Sequence, residues 1–405
     1  MHIIFLTHYF PPEVNAPASR TYENCKCWVE SGHQVTVITG VPNMPDGVIY
    51  KGYKNNFFKW DEMNGIKILR VWTYIAPNRG IFRRTLNYIS FMVSSLLGIF
   101  LIKNGDLIIA TSPQFFCGIG GTLFSRLKRL PFILEVRDIW PESIIAVGAL
   151  TNCRLIKILK KMEVNLYRRA KKIVVVTESF KKIISKKGIS EKKIFVNKNG
   201  VDLSFYQPNN HVNEIREDLG LQEKFIVSYI GTIGMAHALD QVLRVAERLR
   251  GVTDIVFLLV GSGATREILI QEKERKNLAN VIFIEKQPKK LVPSFYAASD
   301  ACLVTLKNSP LFQAVIPSKI FEIMAMAKPI ILGVDGEARQ IVEKAMAGIY
   351  TEPENEEKLE KAILRLYRNK RECHILGQNG RNFVEKYFDR NMLANDYLKI
   401  LTDYN

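Results

Sequence analysis

Short apolar, β-branched segments alternate with longer segments of helical periodicity along almost the whole chain. A continuous apolar strand needs cover on both faces, and strands that are separated by helices pair in parallel. The pattern occurs twice in succession, so it predicts an α/β protein with two doubly wound, Rossmann-like domains. The predicted strands are residues 3–7, 34–39, 66–71, 106–111, 132–136 and 173–177 in the first series, and 225–230, 255–260, 281–284, 301–306 and 329–333 in the second.

The predicted boundary between the domains lies in a polar turn region, residues 199–213, which contains Asn-Gly and Gln-Pro-Asn-Asn-His. We place the first domain at residues 1–203 and the second at residues 204–384. The last segment has a helical pattern of apolar residues, and a terminal helix beyond a finished α/β domain must pack against something. We therefore predict that a helix over about residues 385–405 returns to the first domain.

The excess of positive charge is confined to one half of the chain. The formal net charge is +17; residues 1–200 contain 30 Lys and Arg against 13 Asp and Glu, whereas residues 201–405 contain 27 of each. This asymmetry indicates that the first half faces nucleic acid, an anionic membrane or a phosphate-bearing acceptor, although a solvated basic surface has the same composition. Nucleic-acid readout motifs with interleaved basic and aromatic residues are missing, so we expect no nucleic-acid partner.

An uncharged segment, residues 86–102, stands between two predicted strands of the first domain. Arg79, Arg83 and Arg84 precede this segment. It reaches the lower length limit of a membrane span, but its position within an α/β pattern favours a helix that is buried or that touches one leaflet. Because arginines suit anionic headgroups, we predict a membrane contact at these three residues.

The six cysteines have no zinc-binding or redox spacing, and the N-terminus does not look like a signal peptide. These features predict a cytoplasmic protein with reduced thiols. The sequence also has no Asp-x-Asp motif and no cluster of His and Cys. We therefore predict no obligatory metal and no cofactor.

Ligands of open parallel sheets bind beyond the carboxyl ends of the strands, so the loops there are the candidate sites. The loop after the first strand, residues 8–20, is longer than the two to six residues that are usual for such connections. Its amides are suited to an anion. The predicted acceptor-binding residues in this loop are Glu13, Asn15, Ala16 and Arg20.

A charged pair, Arg137 and Asp138, follows directly after the predicted strand 132–136. Asp138 is suited to position or deprotonate a hydroxyl group, and Arg137 to face a phosphate. A structural ion pair, or a helix cap formed by the aspartate, is the alternative interpretation. We predict that Asp138, Arg137 and Lys319 are the catalytic residues.

In the second domain, glycine-containing turns follow the first two predicted strands. A strand, two glycines and a helix allow a phosphate to approach the backbone, although neither turn is a complete dinucleotide signature. The predicted donor-binding residues in these turns are Gly231, Thr232, Gly234, His237, Gly261 and Gly263.

The segment 317–329 carries the most specific pattern. Ser318 is a favourable N-cap before a short apolar helix, and Lys319 adds a full charge for a diphosphate. Glu322 lies one turn further, where its carboxylate is suited to accept hydrogen bonds from ribose hydroxyls. A capped surface helix is the alternative, but an unpaired carboxylate within an apolar stretch would be costly. We predict that Ser318, Lys319 and Glu322 bind the donor.

These features together resemble glycosyltransferase family 4 over essentially the whole chain. The resemblance is carried by the Pro-rich first loop, residues 138–142, residues 199–202, the turn 231–234 and the segment 317–329. It is greatest for the subgroup that builds bacterial O-antigen and capsule, which includes N-acetyl-fucosamine transferases. The resemblance implies a GT-B fold with two domains that face each other across a cleft, retention of anomeric configuration and metal-independent chemistry.

The resemblance transfers to individual residues only in part. Glu322 matches the second glutamate of the family's E-x7-E motif, which is expected to hold the ribose, whereas the first glutamate would fall at Ala314. The basic residues that often follow the family's glycine turn are absent, and His237 lies in that region. Lys319 is the candidate to replace them at the diphosphate.

The expected function is retaining transfer of an N-acetylated, possibly deoxy, hexose from a UDP-sugar to an undecaprenyl-diphosphate-linked saccharide in O-antigen or capsule biosynthesis. The expected location is peripheral, at the inner face of the bacterial inner membrane. The alternative is a non-hydrolysing UDP-N-acetyl-sugar 2-epimerase, because such enzymes share the fold. An epimerase differs from a transferase in needing neither an acceptor nor a membrane.

Overall fold

The computed structural model describes residues 1–13, 15–44, 47–76, 81–112, 115–146, 148, 150–208 and 214–403. The chain forms two compact units, which we call unit 1 (Met1–Lys198 with Asn391–Asn405) and unit 2 (Asn199–Arg390). The division therefore differs from the predicted one between residues 203 and 204. Val201 forms a β-bridge with Asp389, so the chain already belongs to unit 2 at that point.

Unit 1 is a doubly wound α/β domain. Its elements are β1 His2–Leu6, α1 Ala16–Glu30, β2 Gln34–Gly40, β3 Phe58–Met63, β4 Ile66–Val71, α2 Ile81–Gly98, β5 Leu107–Thr111, α3 Phe115–Lys128, β6 Phe132–Val136, α4 Glu142–Ala146, α5 Cys153–Arg169, β7 Lys172–Val175, α6 Glu178–Lys186, β8 Ile194–Val196 and the C-terminal α15 Arg390–Thr402. The strands form one sheet in the order β3-β4-β2-β1-β5-β6-β7-β8. All neighbours are parallel except β3 and β4.

The six predicted strands of the first series are all present, and β3 and β8 are additional. β3 is half polar and lies at an edge of the sheet, where it pairs only with β4 through a turn at Asn64 and Gly65. Both turn residues have positive φ, 49° and 75°, as a two-residue hairpin requires. β8 has only three residues. A short strand and a polar edge strand lack the continuous apolar run on which the prediction depends.

The C-terminal helix α15 packs on unit 1. The indole nitrogen of Trp28 donates a hydrogen bond of 3.0 Å to the carbonyl of Ala394, and the Trp28 ring meets Tyr397 edge-on at 5.3 Å. Both rings are fully buried in the core beneath the sheet. The helix begins at Arg390 rather than near residue 385, because the preceding helix extends to Tyr387 and ends at Phe388. The ring of Phe388 stacks on Phe321 of unit 2.

The uncharged segment forms most of α2. Residues 83–101 are long and apolar enough to cross a membrane by length and composition, yet a third of this stretch is buried. Phe91 and Ile99 lie in the core, whereas Val93, Leu97 and Phe100 are exposed by 47%, 48% and 66%. The helix is therefore buried on one face and exposed on the other, and its contact with one leaflet stays a prediction.

Unit 2 is a second doubly wound α/β domain. Its elements are α7 Glu214–Asp218, β9 Phe225–Ile230, α8 Asp240–Arg248, β10 Ile255–Val260, α9 Arg266–Arg275, β11 Val281–Ile284, α10 Val292–Ala298, β12 Ala301–Thr305, α11 Lys319–Ala325, β13 Ile330–Gly333, α12 Glu337–Ala345, β14 Gly348–Tyr350, α13 Glu356–Arg368 and α14 Lys370–Tyr387. Its strands are all parallel, in the order β11-β10-β9-β12-β13-β14. The five predicted strands are present, and the three-residue β14 is additional.

Candidate active site

The order of the strands in unit 2 marks one position as a ligand site. The chain runs outward from β9 to β11 on one side and from β12 to β14 on the other, so the direction of winding reverses between β9 and β12. In open α/β sheets, ligands bind in the crevice beyond the carboxyl ends of the strands at this switch point. The turn at Gly231 follows β9 directly, so it lies beside that crevice.

The predicted donor glycines lie in two loops that touch through their backbones. Gly231, Gly261 and Gly263 have φ values of 141°, 147° and 154°, which side chains rarely allow. A Cβ atom on Gly261 would lie 1.9 Å from the Gly231 carbonyl oxygen, and one on Gly263 would lie 2.3 Å from the Ile233 carbonyl oxygen. Only glycine permits this contact, and the result is a narrow backbone surface without side chains.

Lys319 reaches this surface from the first residue of α11. Its Nζ lies 3.6 Å from the centroid of the Tyr229 ring, and a Cβ atom on Gly231 would lie 2.8 Å from Nζ. Nζ is buried, and no described residue accepts a hydrogen bond from it. Burial lowers the pKa of Lys319 to about 7, although Glu322 acts in the opposite direction. A buried amine without an acceptor is a site prepared for an anion.

His237 lies at the end of the same turn. Burial and the nearby Lys319 lower the pKa of its imidazole to about 4, so the ring is neutral at physiological pH. Nδ1 lies 3.3 Å from the Gly234 carbonyl oxygen, which can only accept, so Nδ1 carries the proton. Nε2 is then an acceptor, which suits a sugar hydroxyl better than a phosphate. His237 therefore does not supply positive charge for a leaving group.

The start of α11 differs from the prediction at Ser318. This residue has φ −58° and ψ −29°, a helical conformation, and its side chain makes no capping hydrogen bond. Ser318 therefore occupies the predicted N-cap position but does not make the capping bond, and positive charge at this helix start depends on Lys319. Glu322 lies one turn further, is half-buried, and accepts a hydrogen bond of 3.1 Å from the Tyr296 hydroxyl. Its other carboxylate oxygen makes no hydrogen bond to a described side chain, so it is suited to a ribose.

Tyr229 and Tyr296, which contact Lys319 and Glu322, were not predicted from the sequence as site residues. The Tyr229 hydroxyl also donates a hydrogen bond of 2.6 Å to the backbone carbonyl of the exposed Thr232. Tyr229 therefore connects the lysine to the glycine turn. Both tyrosines are buried within apolar segments. In a sequence without structure, an aromatic residue in such a segment is indistinguishable from an ordinary core residue.

In unit 1, Asp138 lies beyond the carboxyl end of β6. Burial raises the pKa of its carboxyl group to about 6, although bonds from the Ser143 side chain and the Ile139 backbone lower it. Asp138 also lines a small cavity with Phe115 and Trp140, whose rings stack at 4.7 Å. An aspartate that titrates near neutral pH is suited to accept a proton from a hydroxyl group. The hydrogen bond from Ser143 comes from its side chain, so it is not the backbone-amide bond that a helix cap makes.

Arg137 contacts the start of α1. Its guanidinium donates a hydrogen bond of 3.2 Å to the carbonyl of Pro17, and it is half-buried. Arg137 and Asp138 therefore do not form the structural ion pair that was the alternative interpretation, since no such bridge is present among the described residues. Arg137 instead fixes the start of α1, which limits its freedom to face a phosphate.

The predicted acceptor residues are mostly structural. Arg20 is 3% exposed, and its guanidinium forms an ion pair with Glu135 at 2.8 Å. The guanidinium also donates hydrogen bonds to the carbonyls of residues 197 and 198. The prediction of an acceptor contact is therefore wrong for this residue. Glu13 is 5% exposed and accepts hydrogen bonds from the amides of residues 43 and 44, so it closes a loop instead. Asn15 caps α1 by accepting from the amide of Ala18 at 2.9 Å. Ala16, the first residue of α1, is exposed.

Two of the three predicted membrane-contact arginines, Arg83 and Arg84, are exposed in the first turn of α2. Arg84 lies against Tyr88, to whose hydroxyl it donates a hydrogen bond of 3.2 Å. Arg79 lies outside the described residues. No three His, Cys, Asp or Glu side chains of the described chain lie close enough together to hold a metal ion.

Each half of the chain matches a family of known proteins. Residues 18–205 match Glycosyltransferase Family 4, and residues 211–383 match Glycosyl transferases group 1. A similar curated protein is the putative colanic acid biosynthesis glycosyl transferase WcaI of Escherichia coli, which is 24% identical over 334 residues, 80% of this chain and 81% of that protein.

Solved structures share the fold over nearly the whole chain. Sucrose-phosphate synthase from Thermosynechococcus elongatus has a TM-score of 0.77 at 16% identity and covers 99% of this chain and 98% of its own. HepE from Anabaena, solved in complex with UDP-glucose, has a TM-score of 0.74 at 16% identity and covers 99% of both chains. The two Rossmann-like domains, the two family matches and these relatives identify the chain as a glycosyltransferase of the GT-B fold, with a family 4 domain followed by a group 1 domain.

Proposed function

We propose that this glycosyltransferase takes its sugar from a UDP-sugar whose diphosphate binds at Lys319. The observation that carries this proposal is the buried Nζ of Lys319, which has no hydrogen-bond acceptor among the described residues and lies beside the turn at Gly231. An ammonium group in such a position is unfavourable in the empty protein. A diphosphate supplies both the missing acceptor and the opposite charge, so binding removes the penalty.

The remaining donor residues fit the same ligand. The glycine loops allow the pyrophosphate to approach the backbone, where amides can donate to it. Glu322 is suited to hold the ribose, because its carboxylate is fixed by Tyr296 and half-exposed. His237 offers a neutral Nε2 to a hydroxyl group of the sugar. UDP and UDP-glucose are ligands of the structurally similar HepE, which supports a uridine donor here.

The proposed chemistry is transfer with retention of configuration. The acceptor oxygen attacks the anomeric carbon from the face of the leaving group, the bond between that carbon and the phosphate oxygen breaks, and UDP departs. The proton of the acceptor hydroxyl passes to the leaving diphosphate. Lys319 stabilises the charge that develops on this diphosphate without any need for a metal ion. Asp138, with its raised pKa, orients the acceptor hydroxyl.

The proposed acceptor is an undecaprenyl-diphosphate-linked saccharide, and the proposed donor sugar is an N-acetylated, possibly deoxy, hexose. Assembly of a bacterial surface polysaccharide such as O-antigen or capsule would use both. The similarity to WcaI, which is named for colanic acid biosynthesis, supports this class of pathway. The resemblance to the N-acetyl-fucosamine transferase subgroup supports the choice of sugar.

The proposed location is the inner face of the bacterial inner membrane. The exposed face of α2 carries Leu86, Val93 and Leu97, and Phe100 is exposed in the turn that follows the helix. Arg83 and Arg84 stand at the start of α2. A helix that has one apolar face in lipid and the other in a protein core lies in the interface rather than across the bilayer. Such a contact would bring the enzyme to a lipid-linked acceptor.

The first test is a screen of nucleotides and nucleotide sugars for protection of the purified protein against thermal unfolding. A ligand that binds only the folded state at a hundred times its dissociation constant stabilises by about 2.7 kcal/mol. UDP and UDP-N-acetyl sugars should protect the protein, and Lys319→Met should abolish this protection. Protection by no nucleoside diphosphate would exclude the proposed donor.

The second test is a turnover assay with UDP-N-acetyl sugars, with and without a lipid-linked acceptor. Release of UDP that depends on the acceptor supports transfer. Conversion of the UDP-sugar alone into its 2-epimer, without release of UDP, would favour the epimerase instead.

A further inference from the structure

We propose that α5 is a second lipid-docking helix, which binds the surface of an anionic membrane while lying in the membrane plane. The inference extends the proposed membrane setting of the enzyme to a surface that is separate from α2 and from the donor site. It depends on the side chains that α5 presents to solvent, on their charge, and on the position of α5 within unit 1.

The exposed side of α5 carries an apolar stripe and a cationic stripe next to each other. Leu155 and Ile158 are 43% and 56% exposed, and the half-exposed Met162 continues their line. Arg154, Lys157 and Lys161 are exposed and have the same spacing, one residue earlier. Because positions i, i+3 and i+7 share one side of a helix, the two stripes run in parallel along it. A row of apolar residues beside a row of cations is typical of a helix at a lipid surface.

The opposite side of α5 is fixed in the domain. Leu166 and Tyr167 are buried, and the buried Glu163 accepts hydrogen bonds from Tyr167 and from Lys187. Glu163 is the one acidic residue of the helix, so its charge is already compensated inside the protein. The helix therefore has a rigid base, and its outer side is free for a partner.

The charge on this side is strongly positive and largely unpaired. Residues 151–200 contain 15 Lys and Arg against 3 Asp and Glu, so this stretch, nearly all of it in unit 1, holds most of the chain's positive surplus. Among the described residues, Arg154, Lys157 and Lys161 form no ion pair, and Lys160 has only a loose one to Glu142 at 3.9 Å. Unpaired cations beside exposed leucine and isoleucine match a surface that is both anionic and apolar beneath.

The position of α5 allows it to touch the same surface as α2. Within unit 1, α3 packs against both α2 and α5, so the three helices form one layer on the sheet. The outer sides of neighbouring helices in a layer face the same solvent. At its end, α3 adds the exposed Leu127, next to the half-exposed Lys128 and the exposed Arg129. A flat lipid surface can therefore contact α2 and α5 together, whereas nucleic acid would leave the apolar stripe without a partner.

Cys153, at the first position of α5, provides a direct test. It is exposed, whereas the other cysteines are buried or half-buried, so a thiol-directed, environment-sensitive fluorophore should label it selectively in the native full-length protein. We expect a blue shift with vesicles of phosphatidylcholine and phosphatidylglycerol, and none with phosphatidylcholine alone. No shift with the anionic vesicles would overturn the proposal.

Two sets of variants separate charge from insertion. Replacing Arg154, Lys157 and Lys161 by glutamine should lower partitioning into anionic vesicles about a hundredfold, since each cation contributes about a factor of five. The double variant Leu155→Ser, Ile158→Ser should lower it about tenfold and remove the blue shift. The matched controls change exposed residues of unit 2 and should leave partitioning unchanged. For the charge variant, the control replaces Arg368, Lys370 and Arg371 together by glutamine. For the apolar variant, the control is Ile268→Ser.

The readouts distinguish a failure of this inference from a failure of the proposed function. Protection by UDP against unfolding should be unchanged in every α5 variant, because none of these residues contacts the donor site. If UDP does not protect the wild-type protein, the proposed donor fails while the lipid test stands. If the fluorophore responds to RNA and not to anionic vesicles, α5 binds nucleic acid and the lipid proposal is wrong.

Discussion

The affinity of the enzyme for UDP should fall as the pH rises from 7 to 8.5, because Lys319 loses its proton over this range in the empty protein. Its Nζ is buried against Tyr229, and burial lowers its pKa to about 7 from the ordinary 10.5. A bound diphosphate stabilises the charged form, so it raises the pKa again. Binding is therefore strongest where Lys319 is already protonated, below pH 7, and weakens above it.

The size of the effect follows from the fraction of protonated lysine. If the pKa in the complex lies well above the measured range, affinity falls about 30-fold between pH 6 and pH 8.5, and about 0.9 proton is taken up per UDP at pH 8. Other groups around Lys319 do not titrate between pH 7 and 8.5. Burial lowers the pKa of His237 to about 4 and raises the pKa of Cys302 to about 11. Burial also raises the pKa of Tyr229 above its ordinary value. The slope is therefore assigned to one residue.

Isothermal titration calorimetry of UDP binding in two buffers of different ionisation enthalpy measures the proton uptake directly. Measurements between pH 7 and 8.5 avoid the second ionisation of a phosphate, which lies near pH 6. Lys319→Met keeps the approximate volume of the side chain without a titratable group, so it should bind UDP weakly and without proton uptake. Equal affinities at pH 7 and 8.5 in the wild-type protein, or the same slope in Lys319→Met, would show that Lys319 does not set the pH dependence of UDP binding.

Three further substitutions have clear expected outcomes. Gly261→Ala should abolish UDP binding in calorimetry, because its Cβ would lie 1.9 Å from a carbonyl oxygen of the neighbouring glycine turn. Tyr229→Phe should weaken UDP binding about fivefold, since it loses one hydrogen bond to that turn, worth about 1 kcal/mol, but keeps the ring beneath the lysine. Arg20→Ala should lower the free energy of unfolding in urea by about 3–5 kcal/mol, because it leaves Glu135 charged, buried and unpaired.

Each of these substitutions has a matched control. Gly251→Ala adds a Cβ with no atom within 4 Å, so binding should not change. Tyr229→Leu also removes the ring and should weaken UDP binding further, by about 1–2 kcal/mol. Lys26→Ala breaks an exposed pair with Glu30, so it should change stability by less than about 0.5 kcal/mol. An Arg20→Ala protein as stable as the wild type would mean that the buried pair contributes nothing.

The residues of the proposed donor site show which features are readable in a sequence. Gly231 and Gly261 stand after apolar strands, and the alternation of strands and helices places such turns at the carboxyl edge of a sheet. Lys319 and Glu322 were identifiable because a charge within an apolar segment needs a reason. Tyr229 gave no such signal, because a tyrosine in a buried strand fits the apolar pattern whether or not a lysine lies on its ring.

The cations of unit 1 show the opposite case. Arg20 and Arg137 follow strands at the expected edge, and in the sequence they are equivalent to any other cation of a ligand site. The structure gives Arg20 a buried partner, Glu135, and gives Arg137 the carbonyl of Pro17. Lys157, in contrast, remains exposed on α5. Which charge is used inside the protein, and which one is free, depends on partners that are more than a hundred residues away.

Patterns along the chain were enough to predict the two α/β domains, the approximate limits of their main strands, and the glycine turns and the lysine of the proposed donor site. These features are periodic or local, and the backbone and the burial of apolar side chains respond to them within a few residues. The environment of each charge appears only in the folded protein: the ring beneath Lys319, the burial of Arg20, and the exposed sides of α2 and α5. Solvation and ion pairing are set by residues that meet only after the chain has folded, so the pattern along the chain does not contain them.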